Sequence, residues 1–391
     1  MPNSVIVAGS RTAIGKLAGT LSPFRASDLG GVAIAATLTQ AGIDPGLVEA
    51  VIMGHVLQAG QGQVTARQAA VAGGIPFTTV AMSINKVCLS GLQSLYLADL
   101  MIRSGDADVV IAGGMESMTN APYLLPNARS GYRYGNQEVL DSMVVDGLTC
   151  AYDQCAMGLA TDRYNAGRFS RERQDEFALR SHELAAAAQA QGLFASEISE
   201  VLVPSRRGEP SPFTLDEGVR ADSSLEGLAR LRPAFDAGGT ITAGNASQIS
   251  DGGAALLVMS PQRAQELGLE VLGELVSYGQ VAGPDPSLLV QPANAIRRAL
   301  ARADLSVKAV ELFEINEAFA AVALASMDEL GVPSERVNPQ GGAIALGHPI
   351  GMSGTRLVLT ALAQLRRRGG GLAAVGLCGG GGQGDAALLR V

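Results

Sequence analysis

The far end of this chain repeats its beginning at a nearly constant spacing. Val48-Glu49-Ala50-Val51-Ile52-Met53-Gly54 resembles Val310-Glu311-Leu312-Phe313-Glu314-Ile315-Asn316, an offset of 262 residues (48 to 310). Ser90-Gly91, opening one apolar helical run, matches Ser353-Gly354, opening another, at an offset of 263 (90 to 353). Each run leads to a short strand ending in glycines, Ile111-Ala112-Gly113-Gly114 and Leu377-Cys378-Gly379-Gly380. Matches in one order at one offset predict two similar halves, whose pseudo-symmetry brings equivalent loops together.

Strands alternate with helices, which places the chain in the α/β class. Thr79–Val87 reads as a strand, and Leu92–Arg103 as a helix apolar nearly all round and therefore buried. Val109-Val110-Ile111-Ala112 reads as a short buried strand. Residues 120–240 differ, with clusters of Pro and Gly, most of the Tyr and many Arg. The best helix there is Arg171–Gln191, with Ser170 as N-cap and Gly192 just past its end. This region is read as an insertion: residues 1–119 with 241–268 form one half, 120–240 a loop domain, and 269–391 the other half.

Composition narrows the function. Hydrophobic residues make up 47% of the chain, enough for a sizeable core, so disorder is excluded. The 49 glycines lack the three-residue period of collagen. No run approaches the ~18 apolar residues of a membrane span. The N-terminus enters a strand-like run at once, so the expected location is cytoplasmic. A net charge of −8 argues against a general nucleic-acid or membrane binder. Three lysines make Schiff-base chemistry unattractive: Lys16, Lys86 and Lys308. The four cysteines form no CxxC pair, so neither a disulfide scaffold nor structural zinc is supported, and no metal site is expected.

The unusual residues sit in the paired loops. In Asn85-Lys86-Val87-Cys88-Leu89-Ser90-Gly91, Cys88 lies between a strand and a helix N-terminus, where the helix dipole favours a thiolate and a sharp turn exposes the sulfur. The alternative is a small buried hydrophobe. His348 lies in a glycine-rich loop from Gly341 to Gly354, ahead of an amphipathic helix carrying Leu357, Val358, Ala361, Leu362 and Leu365. It either meets a ligand or is satisfied within a turn. Of the other histidines, His182 reads as part of a solvated helix face and His55 lacks a supporting constellation.

Cys378 opens Cys378-Gly379-Gly380-Gly381-Gly382-Gln383-Gly384. Its GxGxxG match is a decoy, because too few residues follow for a dinucleotide-binding βαβ unit. Gly9-Ser10-Arg11-Thr12-Ala13-Ile14-Gly15-Lys16-Leu17 likewise fails as a P-loop, lacking Ser or Thr after Lys16 and carrying one residue too many. In Asn316-Glu317-Ala318-Phe319, Asn316 is either a helix N-cap or an amide that holds a water or substrate oxygen.

Together the Cys88, Asn316, His348 and Cys378 segments resemble the four signature blocks of thiolases, in family order and spacing and across the whole chain. The resemblance implies a thiolase fold: two similar mixed-sheet halves in layered αβαβα architecture, with an inserted loop domain. It also implies acetyl-CoA C-acetyltransferase chemistry, joining two acetyl-CoA into acetoacetyl-CoA and CoA in a reversible Claisen condensation. Cys88 would be the nucleophile, His348 the acceptor of its proton, and Cys378 the acid/base at the α-carbon. Asn316 would hold a water at the enolate oxygen, and backbone N–H groups of Cys88 and Gly380 would form an oxyanion hole. Coenzyme A thioesters would be substrates, with no cofactor or metal.

The resemblance further assigns CoA contacts to Arg220, Ala243, Ser247, Met157, Leu148, Phe235, Ala318 and Phe319, with Arg206 and Arg207 near the phosphates. Tight dimers, often paired into a homotetramer, are usual in the family, as is a place in lipid metabolism. Ala156 stands where many short-chain biosynthetic members carry histidine, and Gln291-Pro292-Ala293-Asn294 replaces a Gly-Pro-x-Pro loop. Met352 matches acetoacetyl-specific members. Broader-chain 3-ketoacyl-CoA cleavage is therefore the alternative, and a cysteine-dependent thioester hydrolase, with no need for Cys378, a remote one. Cys150 and Cys155 are expected to be structural or loop thiols.

Overall fold

The computed structural model describes residues 3–205 and 208–391. Its frame comprises β1 (Val5–Thr12), α1 (Ala26–Ala41), β2 (Ala50–Gly54), α2 (Thr65–Ala72), β3 (Val80–Ile84), α3 (Ser90–Ser104) and β4 (Val109–Ser117). Next come α4 (Met157–Asn165), α5 (Arg171–Ala190), β5 (Ser250–Met259), β6 (Gly273–Ala282), α6 (Gln291–Arg302) and β7 (Leu312–Ile315). The frame closes with α7 (Ala320–Leu330), α8 (Ser353–Arg368), β8 (Leu372–Gly379) and β9 (Gln383–Arg390).

The strands lie in the order β7-β8-β9-β6-β1-β5-β4-β2-β3. The four strands β2-β4-β5-β1 and the four strands β7-β8-β9-β6 run through the same sequence of one parallel and two antiparallel pairings. The halves meet where β1 pairs with β6, Val5 opposite Glu274 and Ile6 opposite Gly273. The repeat read from the sequence is thus a repeat of topology, with β2 answering β7, α3 answering α8 and β4 answering β8.

Helices α3 and α8 lie between the halves, each packing on strands of both. α1 and α2 cover the outer face of one half, and α6 covers that of the other with α7 packed on it, which makes five layers. The two central helices cross at the equivalent glycines. A Cβ on Gly354 would stand 2.3 Å from Leu92 N, and one on Gly91 2.7 Å from Gly351 O. Thr355 Oγ1 then donates to Gly91 O at 3.0 Å. Helix α8 is buried on nearly every face from Ser353 to Leu362, although its sequence reads as amphipathic. Being covered by two half-sheets, it exposes only its last turn, Arg366 to Arg368.

Residues 120–240 add short ladders and the helices α4 and α5, and among the described residues only Ile198–Ser199 joins the main sheet, beside β1. As expected, Ser170 Oγ caps α5 by accepting from Arg173 N, and Gly192 takes φ +67 beyond its end. The region is pinned by Arg11, fully buried, which donates to Glu197 at 2.9 Å and bidentately to Asp216 at 2.7 and 2.9 Å. Removing Arg11 would strip two buried carboxylates, Glu197 and Asp216, of the cation they share. Among the described residues no helix is long and apolar enough to cross a membrane.

Candidate active site

The Cys88 loop is a strained turn between β3 and α3. Val87 takes φ +50, unfavourable for a β-branched residue, and costs about 1–3 kcal/mol. Three hydrogen bonds hold it. Val87 N donates to Asn85 Oδ1 at 3.0 Å, Lys86 N donates to Ser90 Oγ at 2.8 Å, and Ser90 Oγ donates to Val87 O at 2.6 Å. Lys86 Nζ reaches Asp385 on β9 at 2.8 Å, fastening this loop to the other half. Asp385 is wholly buried and also accepts from Tyr278 OH at 2.9 Å.

The sharp turn does not expose the sulfur. Cys88 is buried among Val56, Leu57, Met118 and Ile350. Burial pushes its thiol up to about 12, reinforced by the charge of Glu116 and opposed by a backbone N–H. Desolvation therefore outweighs the favourable helix terminus, and the resting group is a thiol, not the thiolate expected from position.

The His348 loop enters the first half through a gap made by glycines. A Cβ on Gly54, Gly91 or Gly114 would stand 2.8, 2.7 or 1.9 Å from the single carbonyl Gly351 O. Here glycine is required for close backbone approach. On the same residue, Gly351 N donates to Glu116 Oε2 at 2.9 Å. Glu116 also accepts from Val56 N and Leu57 N, both at 3.1 Å, and lies 3.3 Å from His55 Nε2. Burial raises Glu116 to about 7 and lowers His55 to about 4. His55 thus has a constellation after all; its partner Glu116 lies 61 positions on (55 to 116), too far for a spacing rule.

His348 is positioned from three sides. Its backbone N donates to Gln248 O at 3.1 Å and Ser250 Oγ at 3.2 Å. Its Nδ1 lies 2.6 Å from Ser353 Oγ, which donates its own hydrogen to Pro349 O at 2.9 Å. Ser353 must therefore accept, so Nδ1 carries the proton and Nε2 presents a lone pair. Asn316 Nδ2 donates toward that lone pair at 3.4 Å. Burial, with the charge of Arg356 adding, lowers His348 to about 4, so the imidazole is neutral at pH 7.

Asn316 is not a helix cap: α7 begins at Ala320 with Phe319 as its N-cap. Asn316 Oδ1 is buried and accepts no hydrogen bond from the described residues. A buried acceptor in that state suits a water or ligand donor. Next to it, the carboxylate of Glu317 accepts from Ser181 Oγ at 2.6 Å, Asn338 Nδ2 at 2.8 Å and Ile344 N at 3.1 Å. It braces the His348 loop against α5.

Cys378 lies in β8 rather than in a loop, and only Gly380 to Gly382 turn. Burial pushes its thiol well above the usual range, and the neighbouring Cys88 adds to this. Gly379 faces the side chain of Leu89 and Gly380 that of Val87, so both neighbours of Cys88 pack on the Cys378 segment. The structure thus gathers Cys88, His348, Asn316 and Cys378, from the ends of four elements.

A cavity of about 500 Å3 opens beside them, its wall including Val56, Asn85, Val87, Thr149, Tyr152, Met157 and Gly380. Of the expected CoA contacts, Met157 lies on this wall. The ring of Phe235 packs on Gly158, next to Met157, and meets Phe319 edge-on at 6.4 Å. Ser247 N donates to Ala318 O at 3.0 Å, Ala243 is exposed, and Leu148 packs on the Cys88 cluster. Arg220 is exposed, but its backbone N donates to His182 Nδ1 at 3.2 Å. His182 is therefore buried, not part of a solvated face, and burial lowers it to about 4. Met352 lies in the core against Gly252, away from the cavity wall. Arg206 and Arg207 lie outside the described residues.

Comparison with known proteins agrees along the whole chain. The family profiles for the thiolase N-terminal and C-terminal domains match residues 4–262 and 269–391. The chain is 56% identical over 391 residues to a probable acetyl-CoA acetyltransferase of Mycobacterium tuberculosis, with all of both chains covered. It is 49% identical to the acetyl-CoA acetyltransferase of Chromobacterium violaceum, covering 98% of each chain. It is 47% identical to a probable acetyl-CoA acyltransferase of Staphylococcus aureus, over 100% of this chain and 99% of that one. With the repeated topology, the paired thiols and these matches in agreement, the chain belongs to the thiolase family.

Proposed function

We propose that this chain is an acetyl-CoA C-acetyltransferase that interconverts acetoacetyl-CoA plus CoA with two acetyl-CoA. The observation that carries the reading is geometric: both chain neighbours of the buried Cys88 pack on the glycines that follow the buried Cys378, and the free nitrogen of His348 meets the Asn316 amide.

In the cleavage direction, His348 Nε2 takes the Cys88 proton as Sγ attacks the 3-keto carbon. The carbon–carbon bond breaks, leaving an acetyl group on Cys88 and the enolate of acetyl-CoA. Cys378, a thiol at rest, gives its proton to the enolate carbon. Asn316, through a water on its Oδ1, and His348, now protonated, stabilise the enolate oxygen. CoA then attacks the acetyl-Cys88 thioester and passes its proton to the Cys378 thiolate, and the departing Cys88 sulfur recovers its proton from His348. Cys88, His348 and Cys378 each end in their starting protonation state, the CoA thiol proton replacing the one Cys378 gave to the product, and synthesis is the same sequence reversed. Backbone N–H groups of Cys88 and Gly380 are assigned to the acyl oxyanion.

CoA is assigned to Met157, Leu148, Phe235, Ala243, Ser247, Ala318 and Phe319, with Arg220 for the adenine end. No prosthetic group or metal enters this cycle. We further assign the chain to the cytoplasm as a homo-oligomer, either a dimer or a tetramer formed from two dimers. Broader 3-ketoacyl-CoA cleavage is a second reading, favoured by the small Ala156 next to Met157 on the cavity wall.

Incubation with radiolabelled acetyl-CoA tests the first step: label is expected on Cys88 and absent from a Cys88→Ala variant. A Cys88→Ala protein that still condensed acetyl-CoA would sink the mechanism. A Cys378→Ser variant separates transfer from hydrolysis, because a hydrolase would keep its turnover. Thiolysis across chain lengths separates the two substrate readings: a preference beginning above four carbons replaces the acetoacetyl assignment.

A further inference from the structure

Cys150 and Cys155 take no part in this cycle. They close a hairpin in which Thr149–Cys150 pairs with Cys155–Ala156, Cys150 directly opposite Cys155. Directly opposed residues of an antiparallel ladder have Cα atoms about 4.5–5.5 Å apart, and their side chains leave the same face. That separation falls inside the ~4.4–6.8 Å window of a disulfide.

The surroundings fit exchange chemistry. Arg163 Nη1 donates to Cys155 Sγ at 3.7 Å, which holds the outer sulfur in place. Cys155 is partly exposed whereas Cys150 is buried, so an incoming reagent meets Cys155 first. Asp153 N donates to Cys150 Sγ at 3.4 Å, which holds the second sulfur in the turn. The hairpin also forms cavity wall: Thr149, Ala151 and Tyr152 line it, and the Tyr152 ring lies 3.0 Å from where a Cβ on Gly381 would be. It therefore touches the turn that follows Cys378.

We propose that Cys150 and Cys155 form a two-electron dithiol–disulfide pair, oxidised by low-molecular-weight disulfides, that fastens this wall of the cavity. The Cys155 thiolate attacks the small disulfide, forming a mixed disulfide and releasing one small thiol. Cys150 then attacks the Cys155 sulfur, its proton leaving with the second small thiol. The two cysteines are oxidised and the small disulfide is reduced to two thiols. The pairing does not depend on the reaction assigned above.

The test exposes the full chain to glutathione disulfide, caps free thiols with N-ethylmaleimide and maps the peptides. The expected product is an uncapped 150–155 linkage, lighter by two hydrogens and opened by dithiothreitol. In Cys150→Ser, Cys155 should instead accumulate as a stable glutathione adduct. Hydrogen exchange of the amides at 151–154 should slow about tenfold in the oxidised protein. Both cysteines recovered capped, a persistent glutathione adduct in the unaltered chain, linkage to Cys88 or Cys378, or unchanged exchange would overturn the proposal.

Discussion

Substituting Gly114→Ala probes how the histidine loop is seated. A methyl at Gly114 would stand 1.9 Å from Gly351 O, 2.8 Å from Gly351 C and 2.9 Å from Met352 Cα. Ordinary contact begins near 3.4 Å, so the Gly351 carbonyl must withdraw by about 1.5 Å. The obstruction is backbone, so no side-chain rotation relieves it. Overpacking of this kind costs about 1–3 kcal/mol, which a fold of ~5–15 kcal/mol survives. Gly351 is three residues from His348, and a misplacement of ~1 Å at a reacting group costs about 100-fold in rate. The expected result is therefore a folded protein whose kcat for acetoacetyl-CoA thiolysis falls about 100-fold or more. Urea unfolding followed by circular dichroism supplies the stability. Gly238→Ala is the control, since a Cβ there meets nothing within 4 Å and φ is not positive. A Gly114→Ala enzyme with unaltered kcat would refute the seating argument. So would a rate loss matched by the fraction unfolded.

Other expectations follow from the same geometry. Ser353→Ala leaves the buried Nδ1–H of His348 without its acceptor, worth about 1–3 kcal/mol, and should lower kcat roughly 5- to 150-fold in steady-state kinetics. Because His348 is lowered to about 4, its neutral, proton-accepting form persists as pH falls from 8 to 5.5 and is lost only as pH falls through about 4. Burst measurements of acylation against pH should accordingly show no histidine inflection near 6.5. Lys86→Met leaves the buried Asp385 without its cation and should cost about 3–5 kcal/mol in urea unfolding, with Asp385→Asn milder.

Legibility in the sequence varied with the range of the interaction involved. The repeat, the capping of α5 and the elements carrying Cys88 and His348 depend on near neighbours, so period and spacing carry them. Strand and helix ends moved by a few residues: Thr79–Val87 became Val80–Ile84. Errors fell where burial decides chemistry. Cys88 reads as an exposed thiolate because a helix terminus is a local feature, whereas the desolvation that overrides it comes from Val56, Met118 and Ile350. His182 reads as solvated from its charged neighbours, yet it faces the segment of Arg220. The roles of Glu116, Glu317, Ser353 and Gln248 are not legible in the sequence, because each acts through hydrogen bonds that no short motif encodes.

By itself, the sequence determined the α/β class, the duplicated architecture and the segments that meet, because local periodicity and a constant offset are properties of one dimension. It also determined where glycine had to stand, though not why. Only the tertiary structure decided the reason: Gly54, Gly91 and Gly114, from two strands and a helix, close on one carbonyl of the His348 loop. The protonation states were likewise decided in three dimensions, since they depend on which groups exclude water from Cys88, His348 and Cys378. A charge's solvation is a sum over its surroundings, and those surroundings come from distant parts of the chain.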